Sequence, residues 1–185
     1  MNLVARPASV RRICLWSLRY VVVAAITAAA LSGTPVRADG FDAPTGRVIL
    51  TVSGNIEKTN ENGVLALDQT LLETLPQHEF STSTIWTEGV ITFRGVLLRD
   101  LLQAVGSNGG TVVLTALNDY RISVPVADAT GAGPMVAYLM NGAPMPVRDK
   151  GPIWLVYPYD ADPAFRTEQT YARSIWQLDR IEVLD

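Results

Sequence analysis

Apolar residues recur along this chain in short runs whose spacing changes from two to three or four. The clearest run lies mid-chain. Leu97, Leu98, Leu101, Leu102 and Val105 share one face of a helix, while Arg94, Arg99 and Gln103 lie off it. Gly106 then supplies the left-handed stop that helix ends favour. A strand dense in Ser and Thr, Glu79 to Trp86, precedes this helix, and Glu88 to Gly95 between them reads as an exposed turn. A turn held by a rigid element on each side is the first place to look for a site.

The rest of the pattern predicts many short strands. Arg47 to Gly54 is rich in β-branched residues and closed by a glycine, and Asn55 to Gly63 is polar and turn-like. Asp68 can cap a short helix through Leu75, with Leu71, Leu72 and Leu75 inward and Pro76 ending it. Ser107 to Gly110 is a loop. Thr111 to Leu117 and Arg121 to Val126 form a hairpin around Asn118-Asp119-Tyr120. Asp128 to Pro134 is a Gly/Pro loop, and Met135 to Met140 is a strand followed by the hairpin turn Asn141-Gly142. Pro144 and Pro146 hold the next stretch at a sheet edge. Ile153 to Tyr157 alternates little and reads as central. Asp160 to Phe165 is a loop, Arg166 to Arg173 one or two helical turns, and Ile175 to Leu184 the last strand. The class is α+β, a mixed or antiparallel sheet with a few short helices.

The first 38 residues change the picture. Arg6, Arg11, Arg12 and Arg19 precede the apolar run Tyr20 to Leu31, and Val36-Arg37-Ala38 offers small residues at a cleavage site. This is the form of a secretory signal peptide. A retained anchor extending back through Ile13 to Leu18 is the competing reading, and Arg19 in its middle argues against it. Arg11-Arg12 raises twin-arginine export as against the general route. The expected organisation is a signal peptide over 1–38, a flexible lead-in over 39–46 and one domain over 47–185. The expected location is periplasmic or secreted. All eighteen acidic residues follow Ala38 but only ten of fifteen basic ones do, a net charge of −8 after cleavage. No basic patch suits nucleic acid. The one cysteine, Cys14, lies in the leader, and the one histidine is His78, so neither a thiolate nor a histidine cluster is available to the exported domain.

Three motifs carry a resemblance. Thr92-Phe93-Arg94-Gly95-Val96-Leu97-Leu98-Arg99-Asp100-Leu101-Leu102 resembles the "aromatic-x-Gly-Val-x-Leu-x-Asp-Leu-Leu" run of the molybdopterin-binding oxidoreductase domain, the catalytic core of the sulfite oxidase family. Asn141-Gly142-Ala143-Pro144-Met145-Pro146 with Gly151-Pro152-Ile153-Trp154-Leu155-Val156-Tyr157-Pro158 is similar to the family's "Asn-Gly-x-Pro-Leu … Gly-x-Pro-x-Arg-x-x-x-Pro" run. Arg173-Ser174-Ile175-Trp176 through Val183 resembles its closing strand. The three stand in the family's order and span nearly all of Arg47 to Asp185. The resemblance implies the sulfite-oxidase-core fold and a cleft where the loops after Trp86 and Tyr157 converge.

The sequence also departs from the family. The cysteine that holds molybdenum there is matched here by Thr82-Ser83-Thr84, and a serine hydroxyl stays protonated unless a metal displaces its proton. Lys150-Gly151 stands for the family's "His-Gly", and Ile175 for the lysine of "Lys-Trp". The expectation is therefore a domain without cofactor that binds a small molecule or a periplasmic protein in the former cofactor cleft, as a sensory or accessory component. The alternative is a molybdopterin-dependent oxidoreductase with Ser83 or a solvent oxygen on the metal. Candidate cleft residues are Ser83, Trp86, Arg94, Tyr157, Tyr159 and Arg166, an aromatic wall with arginine donors suited to a small anionic or heterocyclic ligand. Tyr157 and Tyr159 flank Pro158 and read as an exposed pair on a loop. Trp154 and Trp176 read as core residues on strands. His78 reads as a surface residue without a partner, and Asp160 and Asp162 lack the remaining ligands of a calcium loop.

Overall fold

A computed structural model of the protein describes residues 40–185. The predicted signal peptide lies outside the described residues. Ten strands form two sheets. The first contains β1 (Leu50–Gly54), β2 (Leu65–Leu67), β5 (Thr111–Ala116), β6 (Arg121–Pro125) and β10 (Leu178–Leu184), in the order β2-β1-β10-β5-β6. Only β1 and β10 run parallel, so the sheet is mixed. The second contains β3 (His78–Ser83), β4 (Val90–Leu97), β7 (Met135–Met140) and β8 (Ala143–Pro144) in that order, with β9 (Trp154–Val156) also on β7. Three short helices complete the described fold: α1 (Gln69–Glu73), α2 (Leu98–Ala104) and α3 (Glu168–Arg173). Among the described residues no helix is long and apolar enough to cross a membrane.

The α+β class and the α2 helix stand as the pattern predicts. Leu98, Leu101, Leu102 and Val105 are buried, and Gly106 follows with φ +65°. Asp68 caps α1 by accepting the Leu71 amide at 2.8 Å on Oδ1. Its other oxygen accepts the amides of Thr45 (2.9 Å) and Gly46 (2.6 Å), tying the end of the predicted lead-in to the domain. Asn141 and Gly142 both take positive φ between β7 and β8, as an Asn-Gly hairpin requires.

The exposed turn expected over Glu88 to Gly95 is shorter. Ile85 to Gly89 forms the tip, and β4 begins at Val90. Paired with β3 on one side and β7 on the other, β4 is central, and its polar Thr92 and Arg94 lie on the outward face of a strand whose Phe93 and Val96 are fully buried. Gly95 sits at the irregularity where β4 crosses β7, where a Cβ would lie 2.1 Å from the Val136 carbonyl oxygen. The predicted last strand also splits. Gln177 has φ +52°, so β10 starts at Leu178, while the preceding segment runs beside β9, with Trp154 bridged to Trp176 and the Leu155 amide donating to the Ile175 carbonyl at 2.8 Å. Strand β9 is thus flanked on both sides, which accounts for its unbroken burial.

Candidate functional site

Two features meet where the end of β3 faces the loop after β9. The first is a polar corner. The Ser83 amide donates to Asp160 Oδ2 at 2.6 Å and the Ser83 hydroxyl to Asp160 Oδ1 at 2.7 Å. Arg166 Nη2 donates to Oδ1 at 2.5 Å, and its Nε to the Tyr159 carbonyl at 2.9 Å. The Asp160 amide closes the ring by donating to Thr82 Oγ1 at 3.0 Å. The amide of Ser83, then its hydroxyl, and to a lesser degree Arg166, hold the Asp160 carboxyl below its ordinary value, so it is ionised near neutrality.

The second is an aromatic cluster centred on Trp86. Its ring stands edge-to-face with Trp154 (5.8 Å), Tyr171 (5.8 Å, 87°) and Trp176 (5.6 Å, 74°). Beside it opens a cavity of about 370 Å³, walled by Trp86, Tyr120, Tyr171 and Trp176 with the amides of Asn118 and Gln177. The elements supplying these residues are far apart in sequence: the β3–β4 tip, the β5–β6 turn, and α3 with the segment after it. Lys150 lies over the rings of Trp176 (5.1 Å) and Trp154 (5.6 Å). A second hollow, about 460 Å³, lies beside Arg47, Asp119 and Arg180, but Arg180 is already paired with Asp119 at 2.6 Å and Asp179 at 3.2 Å.

The sequence candidates separate in the fold. Ser83 and Arg166 form the corner, and Trp86 alone of the six lines the cavity. The expected exposed pair is not exposed: Tyr157 and Tyr159 are buried, because Tyr159 packs on Trp86 and Tyr171 and Tyr157 packs on Phe165. Tyr159 donates its hydroxyl to Ser174, and burial raises its pKa well above that of free tyrosine. Burial pushes Tyr157 up to about 12, and its buried hydroxyl has no partner among the described residues. Arg94 stands on the outward face of β4, opposite Glu79 and Leu139, away from both features. Trp154 is core as expected, but Trp176 is 37% exposed. His78 opens β3 and does have a partner, Asp100 Oδ2 at 2.6 Å, because its pairing with Gly95 brings it close to the start of α2.

A family model described as the oxidoreductase molybdopterin binding domain matches residues 49–162. The chain belongs to this family. Among solved structures, the chain is similar to the sulfane dehydrogenase SoxCD from Paracoccus pantotrophus, with a TM-score of 0.55 at 18% identity. The match covers 74% of this chain and 38% of that one, so the chain spans well under half of the SoxCD chain, and the likeness is one of fold. No curated protein matches the sequence.

The residues present do not fit molybdenum as a thiolate would hold it. In the stretch Thr82-Ser83-Thr84, which the resemblance sets against the family's cysteine, Ser83 spends its hydroxyl proton on Asp160, and the Asp160 carboxylate is itself occupied by Ser83 and Arg166. Among the described residues no three His, Cys, Asp or Glu side chains converge on a metal-sized space. What sequence reasoning missed is the cavity wall. Tyr120 and Asn118 carried the signal of a turn, and Tyr171 that of a helix, but nothing local indicated that they meet Trp86 and Trp176.

Proposed function

We propose that this molybdopterin-binding-type domain is exported, carries no molybdenum, and binds a small ligand in the cavity beside Trp86, serving a sensory or accessory role in the periplasm or outside the cell. The observation that carries the reading is the Ser83–Asp160 pair. Ser83, in the stretch that the resemblance sets against a metal-ligating cysteine, is closed by two hydrogen bonds to Asp160, at 2.6 and 2.7 Å. The neighbouring aromatic hollow has a size suited to a small molecule. Retention of molybdopterin through Ser83 itself would require that hydroxyl to lose its proton and its partner together.

The test is elemental and pterin analysis of the exported protein after expression with ample molybdate. The expected result is molybdenum and pterin far below one per chain. Stoichiometric molybdenum would overturn the reading in favour of a cofactor held through Ser83 or a solvent oxygen.

A further inference from the structure

The cavity beside Trp86 has a definite chemical character, which narrows its ligand. Among the described residues its lining carries no Lys, Arg, Asp or Glu. Three of the cations nearby are already placed, Lys150 over the rings of Trp154 and Trp176, Arg166 on Asp160 and Arg173 on Asp128, and Arg121, which follows Tyr120, is not among the lining residues. An anion would therefore find no guanidinium waiting at the wall. A cation would have to share the Trp176 ring with Lys150, whose charge already draws on that ring's π density.

What the wall does offer is flat faces and two complementary amides. Tyr120 is 52% and Trp176 37% exposed, leaving parts of their surfaces open at the hollow, while the rings of Tyr171 and Trp176 stand at 87° and 74° to Trp86. Asn118 uses its amide oxygen to accept the Tyr120 amide at 3.1 Å, which leaves its NH₂ as a donor. Gln177 uses its NH₂ on the Val147 carbonyl at 2.7 Å, which leaves its oxygen as an acceptor. Both residues line the hollow, and between them one donor and one acceptor remain unspent beside its aromatic rings.

We infer that the cavity takes an uncharged ring with a flat face and both a hydrogen-bond donor and an acceptor on its edge. That chemistry is shared by pyranose sugars and by neutral lactam heterocycles. The inference rests on the ligand-binding reading above and specifies the ligand's class. The flat face stacks on Trp176 or Tyr120, the edge bonds to Asn118 and Gln177, and both contacts are made without displacing any pairing already present.

The test is calorimetric and tryptophan-fluorescence titration of the exported protein with four probes: cellobiose, lumichrome, choline and benzoate. Saturable binding of cellobiose or of lumichrome is expected, and whichever binds identifies the source. Trp176→Ala should weaken it by more than about tenfold. Asn118→Asp keeps the oxygen that holds Tyr120 and replaces the donor with a charged acceptor, so it should weaken binding at least roughly tenfold with the melting temperature preserved. If neither neutral probe binds, or if both substitutions leave binding unchanged, the inference falls. Saturable binding of choline or benzoate that Trp176→Ala abolishes would overturn the class while leaving a ligand-binding cavity in place. Stoichiometric molybdenum would instead remove the reading beneath it.

Discussion

The corner at Ser83 and the hollow beside Trp86 lie three residues apart in sequence, yet they use their polar groups in opposite ways. At the corner the donors turn inward: the Ser83 amide and hydroxyl both end on Asp160, and Arg166 gives Nη2 to Asp160 and Nε to the Tyr159 carbonyl. At the hollow the amides of Asn118 and Gln177 are each half spent, one keeping a donor and the other an acceptor. A charged cluster that satisfies itself is a fastening, and it joins the end of β3 to the loop after β9. A neutral rim with unspent groups is a place for something else to bind.

The largest expected effect comes from breaking both at once. Trp154 is fully buried and touches Trp86, Phe93 and Trp176 edge-to-face, while its indole N–H donates to the Ser174 carbonyl at 3.3 Å. Trp154→Ala removes the packing under the aromatic wall and opens a void that the two sheets cannot close. Urea unfolding should show a loss of about 3–5 kcal/mol, with ligand binding lost as well. A loss below about 1 kcal/mol would mean that the hollow is not built on this ring.

A smaller and more selective effect separates the two regions by pH. The Asp160 carboxyl is held below its ordinary value chiefly by the Ser83 amide and hydroxyl. A carboxyl depressed in the folded state adds stability that is present above its unfolded pKa, near 4, and is lost as pH falls toward the folded value. Asp68, depressed by the amides of Leu71 and Gly46, acts in the same window. Denaturation followed from pH 5 to pH 2 should therefore show a slope that Asp160→Asn reduces in part and that needs Asp68→Asn as well to flatten further. Neither change should alter probe affinity in the hollow at pH 7. An unchanged slope in Asp160→Asn would show that the corner does not hold its carboxylate ionised.

Much of this scaffold is legible in the sequence, and the reasons are local. The α2 helix announces itself because five apolar residues share one face, and the β7–β8 turn because Asn141 and Gly142 both tolerate positive φ. The misreadings are equally physical. Thr92 and Arg94 resembled a turn because the outward face of a central strand is as polar as a loop. Tyr157 and Tyr159 resembled an exposed pair because Pro158 marks a loop, whereas their burial depends on rings from the β3–β4 tip, α3 and the turn before it. Ser83 was singled out by its place in the motif order, but its partner Asp160 lies 77 residues away. The cavity draws on segments from Trp86 to Gln177, and no periodicity within one of them records that they meet.

Arg94 gives the smallest effect and the sharpest contrast with Arg166. Both were read as ligand donors, and sequence gave no ground for telling them apart. Arg166 lies in the corner, and replacing it strips Asp160 of a charged partner. Arg94 lies exposed on β4 opposite Glu79, with its neighbours on the sheet rather than at either feature. The two are register neighbours with no ion pair between them, and a hydrated arginine in that position contributes little. Arg94→Ala should therefore change stability by less than about 0.5 kcal/mol and leave affinity for a neutral ring unchanged. If Arg94→Ala weakened that affinity severalfold, the ligand would have to reach across β4, and the boundary drawn around the hollow would be wrong.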